Sequence, residues 1–449
     1  METGPCIEGD CIGALSCLSD LCVDPDPDAV TGGHAGEDTD GDPTGRDDDG
    51  DPPVPFDNEI DIIFMIDDSG SMAEEQLALV GAIEKLVERL ESPAVNANYR
   101  IAFTTSDNGN PLCPTNFKTP EGGKFVLSSC RQRASHFTFS TVPPVEAFNA
   151  VCASPCAHET IEVLPTPTHL DDTSRPRPWI ERNNTISNLP PNISTVEAVR
   201  CLAPMGIAGC GYEEQLESVY KAILRTQSAG EDQYGFIRPN AMLAIVLVSD
   251  EADGSYNRVP YGNFGPYDPN GNRVFWQDES APAPSSAVSW NAGVQCTGSG
   301  SPYDDCYSQH YDIDGNVVSP QQAASQAVLH PVSRYIGLIE EIAEAKRQLQ
   351  PNREVVVVAG LLGVPPGYSG DMIFRDDPSD PQFTSDFGIG PACVSELSLP
   401  GQPAFQPKAV PSVRQRELVE HFERAGIRNV FSICQPDFSG PIDRIVDSL

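Results

Sequence analysis

At 449 residues, 39% hydrophobic and 7% aromatic, the chain has material for one large domain with appendages and a real core. A formal net charge of −37 excludes a surface for nucleic acid or anionic membrane, and suits divalent cations or plain solubility. The 42 Pro and 37 Gly forecast long loops.

In chain order, residues 1–25 carry Cys6, Cys11, Cys17 and Cys22, a segment too short for a core and expected to be a disulfide-held, stalk-like spacer of open connectivity. Residues 26–56 read as an acidic, disordered linker; residues 1–60 hold 17 acidic side chains and one basic, Arg46. Its DTDGDPTGRDDDGD run resembles calcium loops but lacks the spacing and closing Glu of an EF-hand. The opening METGPC has neither the basic nor the apolar stretch of a secretory leader, and no apolar run is long enough to span a membrane. The 14 Cys form no CxxC…CxxC zinc pattern and point instead to disulfides in an oxidising compartment. The cysteines are given precedence. The chain is expected outside the cell or at its surface, with a leader or lipid anchor supplied outside this sequence.

Residues 57–449 read as one domain. EIDIIFMID, 59–67, is a strand buried on both faces. Val80, Ile83, Val87 and Leu90 mark a helix, and YRIAFTTS, 99–106, a second strand. Residues 107–195 are an irregular insertion with short strands such as GKFVLSS and N-x-[ST] sequons at Asn183 and Asn192. Leu216, Val219 and Ile223 mark a helix, and AMLAIVLVSDE, 241–251, is the strongest strand. A second insertion spans 252–330. Leu338, Ile342, Ala345 and Leu349 mark another helix, followed by the strand EVVVVAGLLG, 354–363. The helix VRQRELVEHFERAG ends at Gly426, and a last strand, RNVFSIC, precedes a short helical IDRIVDSL. Strands alternating with helices predict an α/β fold: a doubly wound, mostly parallel sheet flanked by helices, with sites at the carboxyl ends of its strands.

The first strand ends in Asp67-Asp68-Ser69-Gly70-Ser71. Asp67, Ser69 and Ser71 alternate, so one carboxylate and two neutral hydroxyls can face a hard cation, which prefers oxygen donors. Donors so weakly charged leave the ion able to attract a carboxylate from another molecule. The strand at 241–251 also ends in an acid, Asp250. Asp68 is expected to point away, and Glu251 with Asp253 to be either solvated loop acids or an adjacent second cation site.

A DxSxS motif after an apolar strand, with a second strand-terminal Asp, resembles the von Willebrand factor type A domain. The resemblance covers most of 57–449 with two insertions. It implies a Rossmann-like fold and a metal-ion-dependent adhesion site holding Mg²⁺ (or Mn²⁺/Ca²⁺) on Asp67, Ser69, Ser71 and Asp250. Its partner would be a protein or other carboxylate-bearing ligand. More narrowly, GCGYEEQLE (209–217), RPNAMLAIVLVSDEADGS (238–255) and VFSICQPDF (430–438) are similar to secreted or lipid-anchored type A proteins of myxobacteria. The family's Thr before the third helix is missing; Cys210 stands near its place, and a thiol suits a hard cation poorly. Either Glu213 or Glu214 substitutes, or Cys210 pairs with Cys201 and the site keeps only its other ligands.

The seven His include no HExxH and no triad pattern, and no phosphate-binding loop is present, so binding is expected rather than catalysis. A degenerate structural or scaffolding domain is the alternative, and a metal-assisted hydrolase the remotest one. For the remaining cysteines, sequence neighbours are the natural pairs: Cys113–Cys130, Cys152–Cys156, Cys201–Cys210 and Cys296–Cys306, with Cys393–Cys434 closing a longer loop.

Overall fold

The computed structural model describes residues 58–113, 118–140, 144–400 and 407–449, and the backbone of 16–18 and 21–23. The bridges expected among Cys6, Cys11, Cys17 and Cys22, and the acidic linker, lie outside the described residues. The described strands Ser16–Leu18 and Leu21–Val23 pair antiparallel, with Cys17 opposite Cys22.

A seven-stranded sheet organises the rest. Its strands are β1 (Glu59–Ile66), β2 (Asn98–Thr105), β3 (Ile180–Asn183), β4 (Ile186–Ser187), β5 (Met242–Val248), β6 (Val356–Leu362) and β7 (Val430–Ser432), in the order β4-β3-β2-β1-β5-β6-β7. The five from β2 to β7 across the middle are parallel; β3 and β4 form an antiparallel edge. The β-branched, breaker-free run of β1 suits a strand with both faces covered. Its side chains alternate accordingly. Ile60, Ile62, Phe64 and Ile66 join one apolar cluster with Leu79, Ile83 and Leu86 of α1 (Ala73–Glu91) and with α2 (Thr195–Leu202), whereas Ile63 and Met65 join another with Leu216, Val219 and Ile223 of α3 (Gln215–Gln227). The second cluster also takes α4 (Val332–Leu349) and α5 (Val413–His421); the first takes α6 (Ser439–Val446). The chain is thus a mixed α/β fold with a mostly parallel central sheet flanked by helices.

Several elements depart from expectation. GKFVLSS forms no strand: Gly122, just before it, and Gly123, its first residue, turn the chain at positive φ, and Val126 N–H donates to Phe103 O (2.8 Å). The first insertion is less irregular than expected, since it supplies the edge strands β3 and β4. These are short and polar, as edges are, and lack the apolar run that marks an inner strand. In α4 the buried stripe is Tyr335, Ile339, Ile342, Ala343 and Lys346, while Ala345 and Leu349 are exposed. The lysine is inside because its Nζ donates to Ala241 O (2.6 Å) at the start of β5. Helix α5 stops at His421, five residues before Gly426, where Asn429 Nδ2 donates to Phe422 O (3.1 Å).

Five disulfides cross-link the described residues: Cys113–Cys210, Cys130–Cys152, Cys156–Cys201, Cys296–Cys306 and Cys393–Cys434. The last two match the expected pairs; the pairings Cys113–Cys130, Cys152–Cys156 and Cys201–Cys210 are wrong. The first insertion folds back over α1 and α2, so its cysteines meet residues distant in sequence. Cys152 and Cys156 flank one helical turn, from which one reaches Cys130 and the other α2. Such cross-linking belongs to a chain that matures in an oxidising, extracytoplasmic compartment. Among the described residues no helix is long and apolar enough to cross a membrane.

Candidate metal centre

After β1 the chain moves to β2 on one side; it later returns as β5 on the other. In open parallel sheets a crevice forms at such a reversal, beyond the carboxyl ends of the two strands. The parallel register sets Ile66 opposite Val248, and Asp67 N–H continues the ladder to Val248 O (2.9 Å). Asp67 and the Ser249-Asp250 pair therefore leave the sheet side by side.

The Asp67 carboxylate is held from two directions. Ser69 N–H donates to Oδ1 (2.8 Å), which folds the loop back, and Ser249 Oγ donates to Oδ2 (2.6 Å). Gln215 Nε2, at the start of α3, donates in turn to Ser249 Oγ (2.8 Å). Ser69 Oγ lies 3.2 Å from Ser71 Oγ. Gln76 on α1 ties this loop to the next one. Its Nε2 donates to Asp67 O (3.0 Å) and Gly206 O (2.7 Å), and its Oε1 accepts from Met205 N–H (2.9 Å) and Gly206 N–H (3.1 Å). Gln76, Ser249 and Gln215 went unnoticed in the sequence; an amide on the buried face of α1 was the one available signal.

Asp250 and Glu213 complete the group. They are 2% and 1% exposed, and none of their four carboxylate oxygens has a partner at full hydrogen-bond geometry, although Ser71 stands near enough to Asp250, and Ser106 and Asp67 to Glu213, to act on those carboxyls. Burial, then the charge of Asp67, pushes the Asp250 carboxyl up to about 8, with Ser71 nearby tempering the rise. Burial likewise raises Glu213 well above the carboxylate range, and Asp67 and Glu251 add to it. Glu251 rises through burial and then through Asp67 and Asp250; Glu75 through burial and then Asp250. Asp67 itself is raised by burial against the hydrogen bonds from Ser249 and Ser69. After burial, the charges that act on these carboxylates are mainly those of one another.

Three nearby acids, Asp68, Glu214 and Asp253, have cationic partners of their own. Asp68 turns away, as expected, into an ion pair with buried Lys118, although burial still lifts its carboxyl to about 8. Glu214 is held by both terminal nitrogens of Arg258 (2.7 Å each), so of the two candidate glutamates only Glu213 joins the group. Asp253 accepts from Leu216 N–H (3.0 Å) at the head of α3 and from Arg414 Nε (3.0 Å). Neither Glu251 nor Asp253 is a solvated loop acid, since both are buried, and Asp253 is paired with that arginine rather than left free for a second cation. Cys210 is bonded to Cys113, not Cys201, which removes its thiol from any ligand role. At Gly209, whose N–H donates to Asp68 O (2.8 Å), a Cβ would fall inside the Asp68 carboxyl group. The loop approaches too closely there for any side chain.

No three His, Cys, Asp or Glu among the described residues form a metal cage by themselves. Asp67, Asp250 and Glu213 are therefore not placed as a metal-holding group as they stand; with the two hydroxyls they are the donors that a cation would have to draw together. The set fits a hard dication on a structural ground: four buried carboxylate oxygens lack a partner at full hydrogen-bond geometry, an expensive arrangement unless a proton or a cation meets them. A cleft of about 440 Å³ beside the loop is lined by Ser69, Ser71, Glu251, Phe139, Tyr212 and Phe387, among others, but not by Asp67, Asp250 or Glu213.

No protein-family model matches the chain, and no curated protein does. A solved structure that it matches is the pilus adhesin SpaC from Lactobacillus rhamnosus GG in an open conformation, at 10% identity and a TM-score of 0.26, over 69% of this chain. The chain spans 25% of that adhesin's length. A likeness so loose carries no argument about either fold or function.

Proposed function

We propose that the chain is an extracytoplasmic binding protein, secreted or surface-anchored, built on a von Willebrand factor type A domain. In this reading Asp67, Ser69, Ser71, Asp250 and Glu213 hold Mg²⁺, or Mn²⁺ or Ca²⁺, and the protein adheres to a carboxylate-bearing partner without catalysing a reaction. The observation that carries the reading is the set of buried oxygens without full hydrogen bonds on Asp250 and Glu213 at the sheet's crossover point. The strand order around β1 and the DxSGS loop support the same fold assignment. Ser249 and Ser69 orient Asp67, Gln76 fixes the loop, and the cleft leaves Ser71 partly open to solvent. When bound, a dication supplies an outward coordination position for a carboxylate oxygen.

Titration calorimetry tests the reading. Mg²⁺ or Mn²⁺ is expected to bind one-to-one, and Asp67→Ala to abolish the heat while the fold persists by circular dichroism. No heat with either ion would leave the alternative, a degenerate domain with a structural role. Glu213 bears on what the cation would do: it adds a carboxylate to a set in which the family has a neutral Thr. A more anionic set holds a cation more tightly but leaves it less charge to offer a partner.

A further inference from the structure

We infer that Lys118 and Asp68 condense into an intramolecular amide cross-link, with Glu121 moving the proton. The inference is independent of the cation reading. It starts from a lysine shut off from solvent: its side chain is 2% exposed, and that of Asp68, on the loop after β1, 1%. Lys118 Nζ donates to Asp68 Oδ2, and to Glu121 Oε2 at 2.6 Å. A third acid, Asp107, stands back at 3.8 Å, with its other oxygen accepting from Gly109 N–H (2.9 Å).

The two acids in contact are not equivalent. Glu121 Oε2 also accepts from Thr105 Oγ1 (2.6 Å), and its side chain is 13% exposed, so it is anchored yet able to take and return a proton. Asp68 lies 50 residues from Lys118, and its Oδ1 has no hydrogen-bond partner among the described residues. The Gly209 backbone closes over that carboxyl group, where an added Cβ would lie 2.4 Å from Cγ. A dry contact of this kind favours condensation in two ways. Well-oriented groups reach effective molarities of about 10⁵–10⁸ M. An amide also removes one buried charge of each sign, and the desolvation of such a pair is poorly repaid by its attraction.

The step balances. Nζ passes one proton to Glu121, and its freed lone pair attacks Asp68 Cγ, forming the N–C bond. One carboxyl oxygen leaves with the electrons of its C–O bond, and takes the proton from Glu121 and a second from the nitrogen. Ammonium and carboxylate thus become a secondary amide and water. Nothing is oxidised or reduced, and Glu121 ends as it began. The product ties the loop after β1 to the first insertion by a bond that reductants do not cut.

The test is mass spectrometry of the full chain after reduction and alkylation, which removes the disulfides. Trypsin is expected to leave Lys118 uncut and to yield one branched peptide joining 47–85 to 101–124, lighter than their sum by one water. Lys118→Arg, which keeps the ion pair but cannot condense, should give the two peptides unjoined and no loss of water. Glu121→Gln should leave most of the chain unlinked. The unmodified chain decides the matter by itself: separate peptides 101–118 and 119–124 would overturn the inference. So would a water lost within 101–124 alone, or lost equally from Lys118→Arg. A Glu121→Gln chain as fully linked as the unmodified one would overturn the part given to Glu121.

Discussion

Glu213 and Glu214 are adjacent and chemically alike, yet one has no full hydrogen bond and the other is clasped by Arg258. Nothing local separates them; the choice is made by an arginine 44 residues further on, in the second insertion. Asp67, Ser69 and Ser71 were legible because their spacing is itself the signal, and Asp250 because a buried strand ends on it. Gln76 and Ser249 were not, since their roles exist only once distant loops meet. Glu213→Gln should weaken Mg²⁺ binding by at least about tenfold by removing a charge from a dry site. Glu214→Gln should leave Mg²⁺ affinity nearly unchanged and cost stability instead, because it strands Arg258. Parallel calorimetric and thermal titrations separate the two; equal effects on Mg²⁺ would contradict the assignment.

The Asp250 carboxyl carries a pH prediction. Its pKa of about 8 in the folded chain lies above its ordinary 3.8, so the metal-free folded state holds a proton that the unfolded state has lost. Metal-free stability should therefore fall as pH rises from about 4 to about 8. A bound cation competes with that proton, so Mg²⁺ should raise Tm more at pH 8 than at pH 5. Scanning calorimetry with Mg²⁺ or EDTA at both pH values checks this, and a pH-independent gain would contradict it.

Among the elements, the helices and inner strands were readable wherever apolar periodicity is strong, as in α1, where Val80, Ile83, Val87 and Leu90 are all buried. Reading failed where a polar side chain does core work: Lys346 shifts the buried face of α4 because it caps carbonyls before β5. It failed again for the cysteines, whose partners depend on how an insertion folds back. The Cys113–Cys210 bond spans 97 residues and anchors the Gly206–Gly211 loop against the Asp68 backbone. Replacing both cysteines with Ser should lower stability by about 2–4 kcal/mol, from loop closure in the unfolded chain. It should also weaken Mg²⁺ binding, because Glu213 follows that loop directly. Denaturant melts and calorimetry on the double variant measure both; unchanged Mg²⁺ affinity would detach the loop from the site.

For the whole molecule, the central claim is that the reversal of strand order between β1 and β5 gathers acids which, left to themselves, have no charge partner. The alternation of strands and helices made the parallel sheet and its site-bearing edge legible. The edge hairpin β3–β4 was hidden, because a short polar edge looks like the loop around it. The most direct measurement is a crystal of the chain soaked in Mn²⁺ and recorded at an anomalous wavelength. The account predicts one strong anomalous peak within coordination distance of Asp67, Ser69 and Ser71, with Asp250 and Glu213 turned towards it. A peak elsewhere, or none there at saturating Mn²⁺, would contradict it.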